Sequence, residues 1–190
     1  ALFSQMVEEG VTHVVMEVSS HALELGRTAG THFTVAGFTN LSQDHLDFHP
    51  TMQEYFEAKA RFFDPASPLA AGKSVICVDD EWGRAMAERA DHPLTVSTRG
   101  AQADVTAAPA TVAPSGEQTI VLHLPGVEVT ARLPLPGDFN VANAAVATIL
   151  LGLNALMFVI IPLVLVPSSA WWLLVLLPCA LATNSMWFLA

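Results

Sequence analysis

What is scarce in this 190-residue chain narrows its chemistry first. Lys and Arg together number 8 against 18 Asp and Glu, for a net charge of -10. With so few cations there is no basic stripe to neutralise a phosphate backbone, which argues against nucleic acid as a partner. The two cysteines, Cys77 and Cys179, lie far apart and form no Cys-x-x-Cys pair. Neither a disulfide framework nor a zinc site is indicated, and a reducing compartment fits. A glycine-rich phosphate loop is also missing. Gly72-Lys73-Ser74 resembles the end of G-x-x-x-x-G-K-[ST], yet position 67 is Ser67 and the tripeptide leads into a strand pattern, not a helix.

Charge is absent from one whole region. Every Lys, Arg, Asp, Glu and His falls at or before Asp138, and residues 139–190 hold none. The overall hydrophobic content of 52% therefore averages an acidic soluble stretch and an apolar end. The opening Ala1-Leu2-Phe3 carries neither an initiator Met nor a basic segment ahead of an apolar run. It is no signal peptide, and the chain is expected to begin inside a domain.

The sequence that is present reads as alternating strands and helices. Phe3–Glu9 suggests the last turns of a helix, closed by Gly10. The β-branched run Val11–Val18 predicts a strand buried on both faces of a parallel sheet. Phe33–Thr39, Ser74–Val78 and Leu94–Ser97 predict further strands. Helices are expected after Ser19 or Ser20, from Thr51 to Phe63 with Glu54 completing a capping box, and over Asp80–Ala90. After Gly100 the texture changes to short alternating strands at Val105–Ala108, Thr119–Leu124 and Val127–Leu133, separated by Pro-Ser-Gly and Pro-Gly turns. A helix follows from about Asn140. The expected fold is α/β: a mostly parallel sheet with a small antiparallel β addition, and a hydrophobic helical tail.

Three residues could meet at one metal-phosphate site: Glu17 at a strand end, His45 in an acidic loop (Asp44-His45-Leu46-Asp47), and Lys59 on the next helix. Open α/β sheets place ligands at strand ends, and a carboxylate there suits a hard cation such as Mg²⁺. Each also has an ordinary reading. Glu17 could cap a helix or pair with a base, His45 could be a solvated loop histidine, and Lys59, among Phe56, Phe62 and Phe63, could lay its stem on apolar surface.

Together the residues point further. Met16-Glu-Val-Ser-Ser-His-Ala-Leu-Glu-Leu-Gly-Arg27, Phe38-Thr-Asn-Leu-Ser-Gln-Asp-His-Leu-Asp-Phe-His49 and Glu57-Ala-Lys-Ala-Arg61 closely resemble the central domain of the Mur ligases, most nearly the tripeptide-synthetase (MurE-type) branch. The likeness runs over about residues 1–152, with the blocks in the family's order and spacing. It implies a cytoplasmic, ATP-dependent ligase that adds an amino acid to UDP-N-acetylmuramoyl-dipeptide through an acyl phosphate, in peptidoglycan synthesis.

By the resemblance, Glu17 and His45 would bind Mg²⁺. Lys59 would be carbamylated, becoming an anionic ligand; an apolar helix face favours the neutral amine that reacts with CO₂. Ser19 and Arg27 would contact the UDP-muramoyl substrate, although Leu25 stands where some members have Gln. Asn140 and Asn143, three apart and so on one helix face, would approach the adenine nucleotide, or simply cap a helix start. The family's phosphate loop and its two flanking domains are not among these residues, so the chain is expected not to turn over alone.

The resemblance stops after Gly152. Ala144–Val166 and Ala170–Ala190 are each long and apolar enough to cross a bilayer, with Pro167-Ser-Ser169 between them and Trp171 and Trp172 as interfacial anchors. A transmembrane hairpin over 153–190 would make the chain a membrane-anchored, non-catalytic ligand-binding module. The abrupt loss of both charge and family pattern instead suggests a splice between unrelated sequences.

Overall fold

The computed structural model describes residues 2–42, 48–160 and 187–189. Five helices are described: α1 (Leu2–Glu8), α2 (Ser20–Glu24), α3 (Met52–Ala60), α4 (Glu81–Arg89) and α5 (Asp138–Ile160). Eight strands accompany them: β1 (Val15–Glu17), β2 (Val35–Phe38), β3 (Lys73–Cys77), β4 (Leu94–Ser97), β5 (Val105–Val112), β6 (Gln118–Leu124), β7 (Val127–Leu133) and β8 (Trp187–Leu189). They form one mixed sheet in the order β1-β8-β2-β3-β4-β5-β6-β7.

Local sequence chemistry sets most of the boundaries. Ser19, Thr51 and Asp80 cap α2, α3 and α4, each side chain accepting from the backbone N–H three residues on. Gly10 takes φ +78° beyond α1, and Gly126, at φ +78°, makes the two-residue turn that pairs Leu124 with Val127. Strands β2 to β5 run parallel. β5, β6 and β7 are antiparallel neighbours. The antiparallel part is therefore a continuation of the parallel sheet through β5, and not a separate sheet.

Period-two alternation divides the core. Ala36, Phe38, Ile76 and Val78 point to one face and pack with Leu23, Tyr55, Phe56 and Met86 of α2, α3 and α4. Val35, Val75, Cys77 and Val96 point to the other and pack under Val141, Ala145, Val146 and Ile149 of α5. The result is a helix–sheet–helix sandwich.

Two expectations are corrected. The strand predicted over Val11–Val18 is only Val15–Glu17. Far from being buried on both faces, its Val15 is 41% exposed, because among the described residues β1 closes the sheet at one end, next to β8.

The hydrophobic helical tail is the second, in the parts of it that are described. α5 runs through position 152 without a break. Up to Leu150 it is apolar because it covers a sheet face, which asks of a helix the same residues that lipid does. Among the described residues no helix is long and apolar enough to cross a membrane. Trp187–Leu189, expected in a second spanning helix, is a strand that pairs antiparallel with β1 and β2. An edge row of unpaired N–H and C=O groups on each neighbour is satisfied by that pairing. Residues 161–186, including the Pro167-Ser-Ser169 turn, lie outside the described residues.

At the carboxyl end of β3 a single carboxylate ties two strands together. Asp79 accepts from Ser97 Oγ (2.6 Å), Thr98 Oγ1 (2.6 Å), Thr98 N (2.9 Å) and Arg99 N (3.2 Å). Burial alone would raise its pKa, but the donors on Ser97 and Thr98 outweigh it and hold the carboxyl below the ordinary 3.8. A folded pKa below the unfolded one means that the unfolded chain binds more protons in that interval. The stabilisation is thus complete above 3.8 and lost as pH falls through the folded value. Urea midpoints measured from neutral pH downward should fall in that acid range, and Asp79→Asn should flatten the fall. An unchanged acid slope in Asp79→Asn would assign acid sensitivity to other carboxylates. Cys77, whose thiol donates to Asp79 across 3.4 Å, is pushed up to about 12 chiefly by burial and stays a neutral, free thiol.

Candidate functional site

Of the site residues expected from sequence, Glu17 and Ser19 stand at the carboxyl end of β1. Glu17 is the last residue of β1 and is exposed. Two residues on, Ser19 caps α2, its Oγ accepting from Ala22 N at 3.2 Å. Arg27 is exposed in the turns after α2, its backbone N–H donating to Ala22 O. His45 lies outside the described residues, as does the rest of Gln43–Asp47.

Lys59 is no surface lysine. It is 1% exposed, and its Nζ sits 5.1 Å from the centroid of the Tyr55 ring, one helical turn back along α3. Helical side chains lean toward the helix N-terminus, which is why a residue four positions on reaches that ring. Tyr55 in turn stacks on His49, with centroids 5.1 Å apart and planes at 21°. His49 is 4% exposed and shares a 2.8 Å hydrogen bond between its Nε2 and Ser20 Oγ. Ser20 opens α2 immediately after the Ser19 cap. Through Tyr55, His49 and Ser20 the Lys59 amine is linked to the start of α2, which follows Glu17 in the chain.

Beside this cluster a cleft of about 530 Å³ opens between α2 and α3, lined by Glu24, Phe48, His49, Pro50, Glu54, Glu57, Ala58 and Arg61. Arg61 and Glu24 pair across it at 3.5 Å. Both are exposed, so the pair contributes little stability.

Asn140 and Asn143 belong to the other layer. The Asn140 side-chain amide donates to Pro136 O at 2.7 Å, and Gln118 Nε2 donates to Leu135 O and Gly137 O, fixing the turn into α5. Asn140 thus helps fix the turn into α5 as a donor to a carbonyl, which is not the accepting role of an N-cap, while Asn143 is half-buried. These two and Lys59 stand on opposite faces of the sheet, which separates them except at its edge.

For Mg²⁺, Glu17 offers a carboxylate of the kind a hard cation takes, and Lys59 would offer an anionic oxygen only once modified. Among the described residues no group of three or more His, Cys, Asp or Glu could hold a metal by itself. The residues that sequence reasoning passed over are His49, Tyr55 and Ser20. Only the crowding of Phe48-His49-Pro50 just before the Thr51 cap hinted at them.

Residues 1–151 match the Mur ligase middle domain, and the chain belongs to that family. Similar proteins within it include the following. UDP-N-acetylmuramoyl-L-alanyl-D-glutamate--2,6-diaminopimelate ligase of Corynebacterium efficiens is 61% identical over 147 residues, covering 77% of this chain and 28% of the relative. The ligase of the same name from Streptomyces coelicolor is 44% identical over 153 residues, covering 80% of this chain and 30% of the relative. A solved structure of such a ligase superposes with a TM-score of 0.62 at 34% identity, over 73% of this chain and 28% of that one. The chain thus spans under a third of the length of these relatives.

Proposed function

We propose that residues 1–152 are part of the central, ATP-handling domain of a ligase that joins 2,6-diaminopimelate to UDP-N-acetylmuramoyl-L-alanyl-D-glutamate in peptidoglycan synthesis. Its main support is the 61% identity over 147 residues with a ligase named for that reaction. In the reaction a carboxylate of the muramoyl dipeptide takes the γ-phosphoryl group of ATP and ADP leaves. The amino group of diaminopimelate then displaces phosphate from the acyl phosphate, forming the amide bond. Ser19 and Arg27 bind the UDP-muramoyl substrate, Arg27 through the fork geometry that suits phosphate and carboxylate. Asn143, more accessible than Asn140, contacts the nucleotide.

Glu17, His45 and a carbamate on Lys59 would hold Mg²⁺, which when bound neutralises phosphate charge. The burial of Lys59 supports the modification. Held beside the Tyr55 ring and away from bulk water, the amine in its neutral form could add to CO₂, release a proton and become an anionic oxygen donor. The chain holds two lysines, Lys59 and Lys73, and with its N-terminal amine blocked by acetylation each lysine can be tested by substitution. Given ¹³C-bicarbonate and Mg²⁺, it should show a carbamate resonance that disappears in Lys59→Arg and persists in Lys73→Arg. A resonance lost only in Lys73→Arg, or none at all, would remove the proposed role of Lys59.

A further inference from the structure

Ser20, His49 and Tyr55 form a continuous link from the first turn of α2 to the Lys59 amine. None of the three belongs to the set Glu17, Ser19, Arg27, His45, Lys59, Asn140 and Asn143. We propose that His49 is a positioning residue for Lys59: its Nε2 holds Ser20 Oγ, its ring face holds Tyr55, and the Tyr55 ring is the surface on which Nζ rests. The functional meaning rests on the reading of Lys59 as the modified metal ligand.

The physical case begins with the lysine. Its four-carbon stem is flexible, and an amine that must stand at one point needs its rotamers restricted. The Tyr55 ring restricts them from one side. A phenol ring can itself pivot about its χ angles, and the stacked His49 opposes that movement. The imidazole is fixed in turn by its edge, because a buried ring nitrogen is costly to leave without its hydrogen bond. Ser20 supplies that bond from a helix start that Ser19 already caps. An error at Ser20 is thus passed on as a shift of the Lys59 amine, and small displacements of reacting or ligating groups are costly in an active site.

The two lysines permit a test with an internal reference, since Lys73 is exposed and Lys59 is not. Acetylation by N-hydroxysuccinimidyl acetate, read by mass spectrometry after proteolysis, gives the Lys59-to-Lys73 rate ratio. His49→Leu, which removes both the bond and the stack, should raise that ratio on the order of tenfold, the scale of losing one buried hydrogen bond. Ser20→Ala should raise it less. Adding Ser20→Ala to His49→Leu should raise it no further, because both changes act through one contact. Val96→Ala, in the opposite core layer, is the control for general loosening and should leave the ratio unchanged at a similar loss of melting temperature.

A His49→Leu ratio no higher than that of the Val96→Ala control would overturn the proposal, as would additive effects of the two changes. If His49→Leu does not fold, Ser20→Ala decides alone, and an unchanged ratio overturns the link. Absence of the ¹³C-carbamate in the unaltered chain would instead defeat the metal-ligand reading, while the ratio would still judge the positioning.

Discussion

Gly83→Ala should strongly destabilise this domain, although Ala is the better helix former by about 1 kcal/mol. Gly83 lies in the first turn of α4, its N–H donated to the Asp80 cap at 2.6 Å. A Cβ built there would stand 1.9 Å from the Cys77 carbonyl oxygen, 3.0 Å from its carbon and 3.2 Å from Val78 Cα. All three are backbone atoms of β3 and its continuation, so no rotamer change relieves the clash. α4 must lift from the sheet and loosen Met86 and Trp82 from the core. The cost is about 3 kcal/mol or more, beyond ordinary overpacking, or a fall in melting temperature of about 10 °C. Gly152→Ala is the contrast. Nothing lies within 4 Å of its added Cβ, so propensity should prevail with a gain of up to about 1 kcal/mol. Thermal melts of both variants by circular dichroism check the pair. A Gly83→Ala melt within a degree or two of the parent would mean that α4 does not approach β3 this closely.

The second large effect concerns activity. Exchanging residues 1–151 into the full-length Corynebacterium efficiens ligase should keep ATP-dependent diaminopimelate ligation. Within that chimaera, Lys59→Arg should lower kcat by about 10²–10³-fold, as for the loss of one preorganised electrostatic group, with little change in KM. Arg keeps the positive charge yet cannot take up CO₂, so the substitution separates an anionic role from a cationic one. Steady-state kinetics would read the difference. A Lys59→Arg enzyme with the parent kcat would show that the charge of the lysine matters and its carbamate does not.

Much of the framework was legible locally. The cap at Thr51, a cap at Ser19 or Ser20, the Pro-Gly hairpin and the bounds of β4 and β7 were all readable from a few adjacent residues. Capping and turn chemistry act over three or four positions, so the sequence displays them directly. The family was legible too, because three blocks in the right order are hard to match by chance, and residues 1–151 match it.

Other features had no local signal. Val11–Val18 looks like an inner strand, yet only three residues pair and they lie at the sheet's end. The apolar start of α5 looked fit for lipid and instead covers Val35, Val75 and Val96. A hydrophobic face carries no label for what will cover it. His49 read as one more loop residue until the fold set Ser20 at its edge and Tyr55 against its ring.

The sequence by itself determined the family, the α/β alternation and the identity of Lys59 as the residue to watch. Those depend on residue type and on short spacings. Only the tertiary structure decided that Lys59 is buried, that its amine leans on Tyr55, and that His49 and Ser20 stand behind that ring. Such contacts join residues 29 positions apart. Burial and orientation are set by how helices pack on a sheet, and chain order does not encode that packing in any local pattern.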